Sequence, residues 1–416
     1  MGAAMQRRQF LRLGALGALG VAGASVLAAC GSDDDEESTS TSGAASPTTA
    51  ASGSSAAPSG EALKVHFVYV GPPDDNGWTQ AHDIARQAAE SALGGAVETS
   101  FTPNIGFDAS TTQLFEQLVA DGYKMIVANT EYAGLMTGVA DANPDVAFLE
   151  CNGHHFTSNC FGYYMAHETT AYLMGVAAAT LGASKIGYIG AFETATFFND
   201  VNGLLLGARS VNPEATVQYV NVQTFFDPQK AAVAADALLS DGVDFLYGVM
   251  DEPTFLQKAE EAGVWTGYWN LDFRSAAPTK YVNNFDLTSF APFYEEQFRA
   301  LVDGTWKAPS EVVLLECPLG EWGPEVPQEV KDAVAAAAAE LESGELSVYQ
   351  GPLNDNQGNE VVPAGETIDA GRLLGGLRRR GRHRFLIGPC LPPCVHSPSR
   401  SATSPSPSVA SGPSTA

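Results

Sequence analysis

Two short segments carry most of the chemistry legible in this chain. In Gly71-Pro72-Pro73-Asp74-Asp75-Asn76-Gly77-Trp78 a carboxylate and an indole stand where a helical pattern begins. Asp75 is placed to accept from helix N-terminal amides, Gly77 permits a tight turn, and Trp78 has a face to offer a flat ligand; the plainer alternative is a helix cap beside a core tryptophan. Phe225-Phe226-Asp227-Pro228 ends a strand pattern and opens a helix with proline at an early position. Neighbouring strand residues point oppositely, so one phenylalanine faces the sheet and the other a cleft. An aromatic from each of two lobes would sandwich a planar ring, and such stacking is worth about 1–3 kcal/mol per base in nucleic-acid binders. A purine fits that arrangement better than a sugar or an amino acid.

Catalytic signals are missing. His82, His154, His155 and His167 form no pair at metal-ligand spacing with a third ligand. The chain has no Gly-x-Ser-x-Gly elbow, no phosphate-cradling glycine loop and no His-Glu-x-x-His helix. The reading is a binding protein, with neither cofactor nor metal.

Stepping from these residues to the elements that position them, short apolar runs alternate with helical patterns. Strands are expected at Val65 to Val70, Met125 to Ala128, Ala147 to Leu149, Ile186 to Ile189, Val217 to Val222, Phe245 to Val249 and Val264 to Trp269. Helices are expected at about Thr79 to Leu93, Thr111 to Asp121, Ala171 to Leu181, Val201 to Val211, Pro228 to Asp241 and Pro253 to Ala262. Such alternation gives α/β parallel sheets, whose ligand loops lie beyond the carboxyl ends of the strands. The loops there are rich in aromatics, Asp and Asn, and two sheets facing across a cleft use them all.

All 48 Asp and Glu lie between Gly31 and Ala370, whereas ten of the 22 Lys and Arg fall outside that segment. A domain this acidic repels nucleic acid, anionic headgroups and polyanionic ligands. Cys151 and Cys160 are near enough in sequence to pair in an oxidising compartment or to remain as two buried thiols; Cys317 is left over.

The ends speak to compartment. Arg7-Arg8 precedes a Gly- and Ala-rich run that closes on Leu27-Ala28-Ala29-Cys30, so residues 1–29 read as a twin-arginine type signal peptide and Cys30 as the lipidated first residue of the mature chain. Residues 30–62 are acidic and then Ser-, Thr- and Ala-rich, a flexible tether. Residues 371–416 hold seven arginines and no acid and end in Pro and Ser, the composition of a frameshifted C-terminus or of a basic tail that touches anionic lipid.

Several pieces together make a resemblance: Gly71 with Asp75-Asn76-Gly77-Trp78 and His82-Asp83, Asn143-Pro144-Asp145-Val146, Leu173-Met174-Gly175-Val176-Ala177-Ala178, Gly207-Ala208-Arg209-Ser210-Val211-Asn212-Pro213, Phe226-Asp227-Pro228, and Gly351-Pro352-Leu353-Asn354-Asp355-Asn356-Gln357-Gly358. From Val68 to about Ala370 the chain resembles the basic membrane protein (Bmp) family of substrate-binding lipoproteins, many of which serve ABC importers of purine nucleosides or nucleobases. The resemblance implies a type I periplasmic-binding fold: two flavodoxin-like lobes joined by hinge crossovers. The first lobe would be 63–165 with about 285–312, and the second 166–284 with about 313–370. Trp78 and Phe225 would stack on the base, Asp272 would stand for the ribose-binding carboxylate, and Glu150 or Asn152 would meet the polar edge of the base. Asn284 stands near the third hinge, where nucleoside binders often carry lysine, a departure that weakens the case for ribose. The implied partners are a purine-like solute, an ABC permease and, through Cys30, the extracytoplasmic face of the membrane. A ligand-sensing lipoprotein that signals to a membrane partner, or a carrier of another small solute, would keep the same cleft.

Overall fold

The computed structural model describes residues 61–355 and 358–368, so the signal segment, Cys30, nearly all of the tether and the arginine-rich tail lie outside the described residues. The first half runs β1 (Leu63–Val68), α1 (Trp78–Ala92), β2 (Val97–Thr102), α2 (Ala109–Ala120), β3 (Met125–Ala128), α3 (Gly134–Ala142), β4 (Ala147–Cys151) and β5 (Cys160–Met165). It continues with α4 (His167–Thr180), β6 (Lys185–Gly190), α5 (Ala195–Val211), β7 (Thr216–Asn221), α6 (Pro228–Ser240), β8 (Phe245–Val249), α7 (Thr254–Ala262), β9 (Trp265–Tyr268) and β10 (Tyr281–Asn284). The last elements are α8 (Phe290–Val302), β11 (Val313–Leu315), α9 (Gln328–Ser343) and a small hairpin of β12 (Leu353–Asn354) and β13 (Glu360–Val362).

Two parallel sheets result, in strand orders β11-β5-β4-β3-β1-β2 and β10-β9-β8-β6-β7. The central strands are buried along their whole length, as both-face-covered parallel strands must be. The chain crosses between the sheets three times: after β5, where α4 packs on α5; after β10, where α8 packs on α1; and after β11, where α9 packs on α4. β11 pairs with β5, Val313 opposite Tyr163. Val313, Leu314 and Leu315 therefore extend the first sheet, and the last crossing falls beyond Leu315 rather than at 312. Three residues are too short a run to stand out from a loop in sequence.

Helices α4 and α5 meet with almost no space between their backbones. A Cβ on Gly207 would lie 1.9 Å from the Tyr172 carbonyl oxygen, and one on Gly175 2.1 Å from that of Leu204. These glycines are spaced to let two helices touch, and the contact sets the start of α4 beside the first turns of α5. Cys151, Cys160 and Cys317 are free buried thiols, so the first two are not joined.

Candidate functional site

The cleft between the sheets encloses about 1310 Å³, above the roughly 300–1,000 Å³ usual for small-molecule pockets. Its walls come from loops at the carboxyl ends of strands in both lobes, as open parallel sheets dictate.

From the first lobe, Asp75 and Trp78 both reach the wall. Asp75 is already committed: its carboxylate accepts from the amides of Gly77 (2.9 Å), Thr79 (2.9 Å) and Gln80 (3.0 Å), which opens α1. Trp78 donates from Nε1 to the Asn129 carbonyl at 2.7 Å and is wedged edge-on against His82 and Phe290. Burial lowers the His82 imidazole to about 3. The neutral ring packs in the core with its Nδ1 in a hydrogen bond to the Tyr294 hydroxyl.

From the second lobe the ring facing Trp78 is Trp269, just beyond β9. The two indoles are parallel within 4°, with centroids 5.9 Å apart. Trp269 is 2% exposed and held by its Nε1 donating to the Met250 carbonyl at 3.1 Å. Phe225, which the sequence pairs with Trp78, lines the cleft further out; it is 37% exposed and packs edge-on against Phe192 and Phe197. Phe226 is more exposed still, at 59%.

The remaining expected site residues divide. Asn152 lies on the wall, with φ 61° and its amide donating to the Tyr163 carbonyl. Glu150 sits behind the wall: it is buried and accepts from the amides of Tyr132 (2.7 Å) and Ala133 (2.8 Å), so it shapes the loop that carries Thr130 and Glu131 into the cleft. Burial pushes its carboxyl up to about 7, against those two hydrogen bonds. Asp272 is off the wall and bound to the Arg274 guanidinium at 2.6 Å. Asn284 is buried in the hinge strand, donating to the carbonyls of Asn270 and Phe285. The carboxylate expected for ribose, Asp272, and the hinge amide of Asn284 are thus both off the wall.

Among the wall residues that sequence reasoning did not single out are Trp269, His167 and Asp251. Trp269 hid inside a strand pattern, Val264 to Trp269, where an aromatic reads as core. His167 read as one unpaired histidine among several. Asp251 follows β8 directly and reaches across the cleft, its Oδ1 accepting from the Trp78 amide at 3.3 Å. Burial holds the Asp251 carboxyl well above the ordinary carboxylate range, and the nearby Asp75 charge adds to the effect.

A family model described as "ABC transporter substrate-binding protein PnrA-like" (Bmp) matches residues 62–274. Among curated proteins, "Purine-binding protein BAB2_0673" of Brucella abortus is 34% identical over 77% of this chain and 92% of its own length. "Putative ABC transporter glucose-binding protein TsgA13" of Haloferax volcanii is 33% identical over 73% of this chain and 78% of its own. Among solved structures, an ABC transporter solute-binding protein from Conexibacter woesei superposes with a TM-score of 0.58 at 22% identity, covering 69% of this chain and 98% of that one, a likeness of fold.

Proposed function

The chain belongs to the Bmp family of PnrA-like ABC transporter substrate-binding proteins, and from that premise we propose that its solute is a purine base or nucleoside held between Trp78 and Trp269. As a member of this family it binds a small molecule for a transporter and is not an enzyme. One observation carries the purine reading: two parallel indoles, one from each lobe, 5.9 Å apart. Ring–ring contacts of about 3.5 Å on both faces need indole planes about 7 Å apart, and parallel planes are no further apart than their centroids, so the ring enters as the lobes part by at least about 1 Å and is then gripped on both faces. The acid groups on the wall, Asp74, Asp75 and Glu311 among them, disfavour a phosphate on the ligand.

Phe225 at the mouth and Asn152 on the opposite wall would complete the enclosure, while Asp75 acts by fixing the start of α1. Asp272, tied to Arg274, leaves a ribose without the carboxylate first expected for it, and Asn284, where nucleoside binders often carry lysine, is committed to hinge carbonyls. The Cys30 thiol would carry a lipid that keeps the protein at the extracytoplasmic membrane face; Cys30→Ala should release it to the soluble fraction.

Glucose is the second reading, favoured by the Haloferax relative's name and by the ability of flat aromatic faces to hold sugars. Thermal-shift measurements with adenine, hypoxanthine, guanine, their nucleosides and glucose separate the two. A ligand at a hundred times its dissociation constant stabilises by about 2.7 kcal/mol. A shift with glucose and none with any purine would overturn the purine assignment.

A further inference from the structure

Behind the two indoles the second lobe holds a buried polar pair with no obvious structural work. His167 is the first residue of α4, 2% exposed, and its ring is on the cleft wall. Neither of its ring nitrogens has a hydrogen-bond partner among the described residues. Its Nδ1 lies 3.7 Å from Oδ1 of Asp200, a fully buried carboxylate on α5 whose two oxygens meet no partner at full hydrogen-bond geometry among the described residues, with the Tyr188 hydroxyl beside them. The glycine contacts between α4 and α5 bring the two together.

Leaving such groups buried and unpaired is costly, more so where one is charged, so a pair of this kind in a natural core marks a place where something else completes the bonding. The geometry says what. The centroids of Trp78, Trp269 and His167 form a nearly equilateral triangle, 5.9, 6.0 and 6.3 Å on its sides, and the imidazole stands at 72° and 68° to the two indoles. A flat ring between the indoles lies parallel to both and turns its edge, where its polar atoms are, toward the imidazole.

We infer that His167 is the group that reads the polar edge of the ligand, and that Asp200 is a positioning residue which orients the imidazole through Nδ1 and leaves Nε2 for the ligand. The inference rests on the proposal that a nitrogen heterocycle occupies the space between Trp78 and Trp269. It names a contact that specifies the solute by hydrogen bonding, where the indoles alone would accept any flat ring. A hydrogen bond from the ring on one side to the carboxylate fixes which nitrogen carries the proton on the other. Burial raises the Asp200 carboxyl, and the neighbouring imidazole works against that rise, which suits a pair that shares its electrostatics.

The test is calorimetric titration of the full chain with hypoxanthine, adenine and glucose, for wild type, His167→Phe, His167→Gln and Asp200→Asn. His167→Phe keeps a ring in the same space without its nitrogens and should lose at least tenfold in affinity with its melting temperature nearly unchanged. His167→Gln, which can still donate and accept, should recover a large part of that loss. Asp200→Asn should alter the hypoxanthine-to-adenine affinity ratio, a readout that a merely structural carboxylate would leave alone. Equal affinities for wild type and folded His167→Phe would overturn the assignment, as would an unchanged ratio in Asp200→Asn for the positioning role. If wild type bound glucose and neither purine, the purine reading would fall by itself; a loss of glucose affinity in His167→Phe would then uphold His167 as the edge reader, and no loss would end it.

Discussion

Gly77→Ala is the sharpest perturbation available, because the methyl it adds is aimed at the opposite lobe. In the structure a Cβ at Gly77 would lie 1.8 Å from Oδ1, 2.2 Å from Cγ and 2.7 Å from Cβ of Asp251, all on the opposite lobe. Its backbone, at φ −150° and ψ −132°, lies outside the left-handed range, and the nearest atoms the methyl meets all belong to Asp251. Ordinary carbon contacts begin near 3.5 Å; Asp251 must therefore retreat by more than 1 Å, breaking its bond to the Trp78 amide and prising Trp269 away from Trp78. Overpacking of this kind costs about 1–3 kcal/mol, which is about five- to 150-fold in ligand affinity. Calorimetry on Gly77→Ala should show that loss. The double variant Gly77→Ala/Asp251→Ala should regain part of it, since the two nearest atoms, Oδ1 and Cγ, are gone while Cβ at 2.7 Å remains. Full affinity in Gly77→Ala, or a double variant no better than the single, would refute closure by this contact.

Trp269→Ala should weaken purine binding by about 1–3 kcal/mol and more than Phe225→Ala, whose ring sits further out; equal losses in titration would put Phe225 back opposite Trp78. Asp272→Ala should leave affinity for a free base unchanged within about twofold, because its carboxylate belongs to Arg274; a large loss would place it at the ligand. For pH, the Glu150 carboxyl is raised to about 7 in the folded chain, so between the ordinary carboxylate value and about 7 the folded state binds more protons than the unfolded. Stability should then fall as pH rises through that window. Melting temperatures at pH 5.5 and 8 should show this trend, and Glu150→Gln should flatten it; an identical slope in that variant would assign the trend to other groups.

Much of the fold was legible because buried parallel strands and amphipathic helices announce themselves locally. Met125–Ala128 and Phe245–Val249 are apolar runs bounded by turns, and Pro228 marks the start of α6 where it falls. Elements without such a pattern stayed hidden: β2 reads Val-Glu-Thr-Ser-Phe-Thr, the half-exposed character of an edge strand, and α3 is short and carries Gly134 and Gly138. The site followed the same division. Asp75 and Trp78 were visible because one turn brings acid, glycine and indole together. Trp269 and His167 become site residues only when two sheets meet, and nothing in their local sequence separates a cleft aromatic from a core one. Glu150 was read by its position at a strand end, while the amides of Tyr132 and Ala133, eighteen and seventeen residues away, claim its carboxylate instead.

The central claim is that a flat heterocycle lies between Trp78 and Trp269, and a crystal structure of the protein grown with hypoxanthine tests it most directly. The account predicts the purine ring between the indoles, their planes about 7 Å apart, its polar edge within hydrogen-bond distance of His167 Nε2. A purine bound elsewhere in the cleft, with the two indoles still 5.9 Å apart and in contact only with protein, would contradict it.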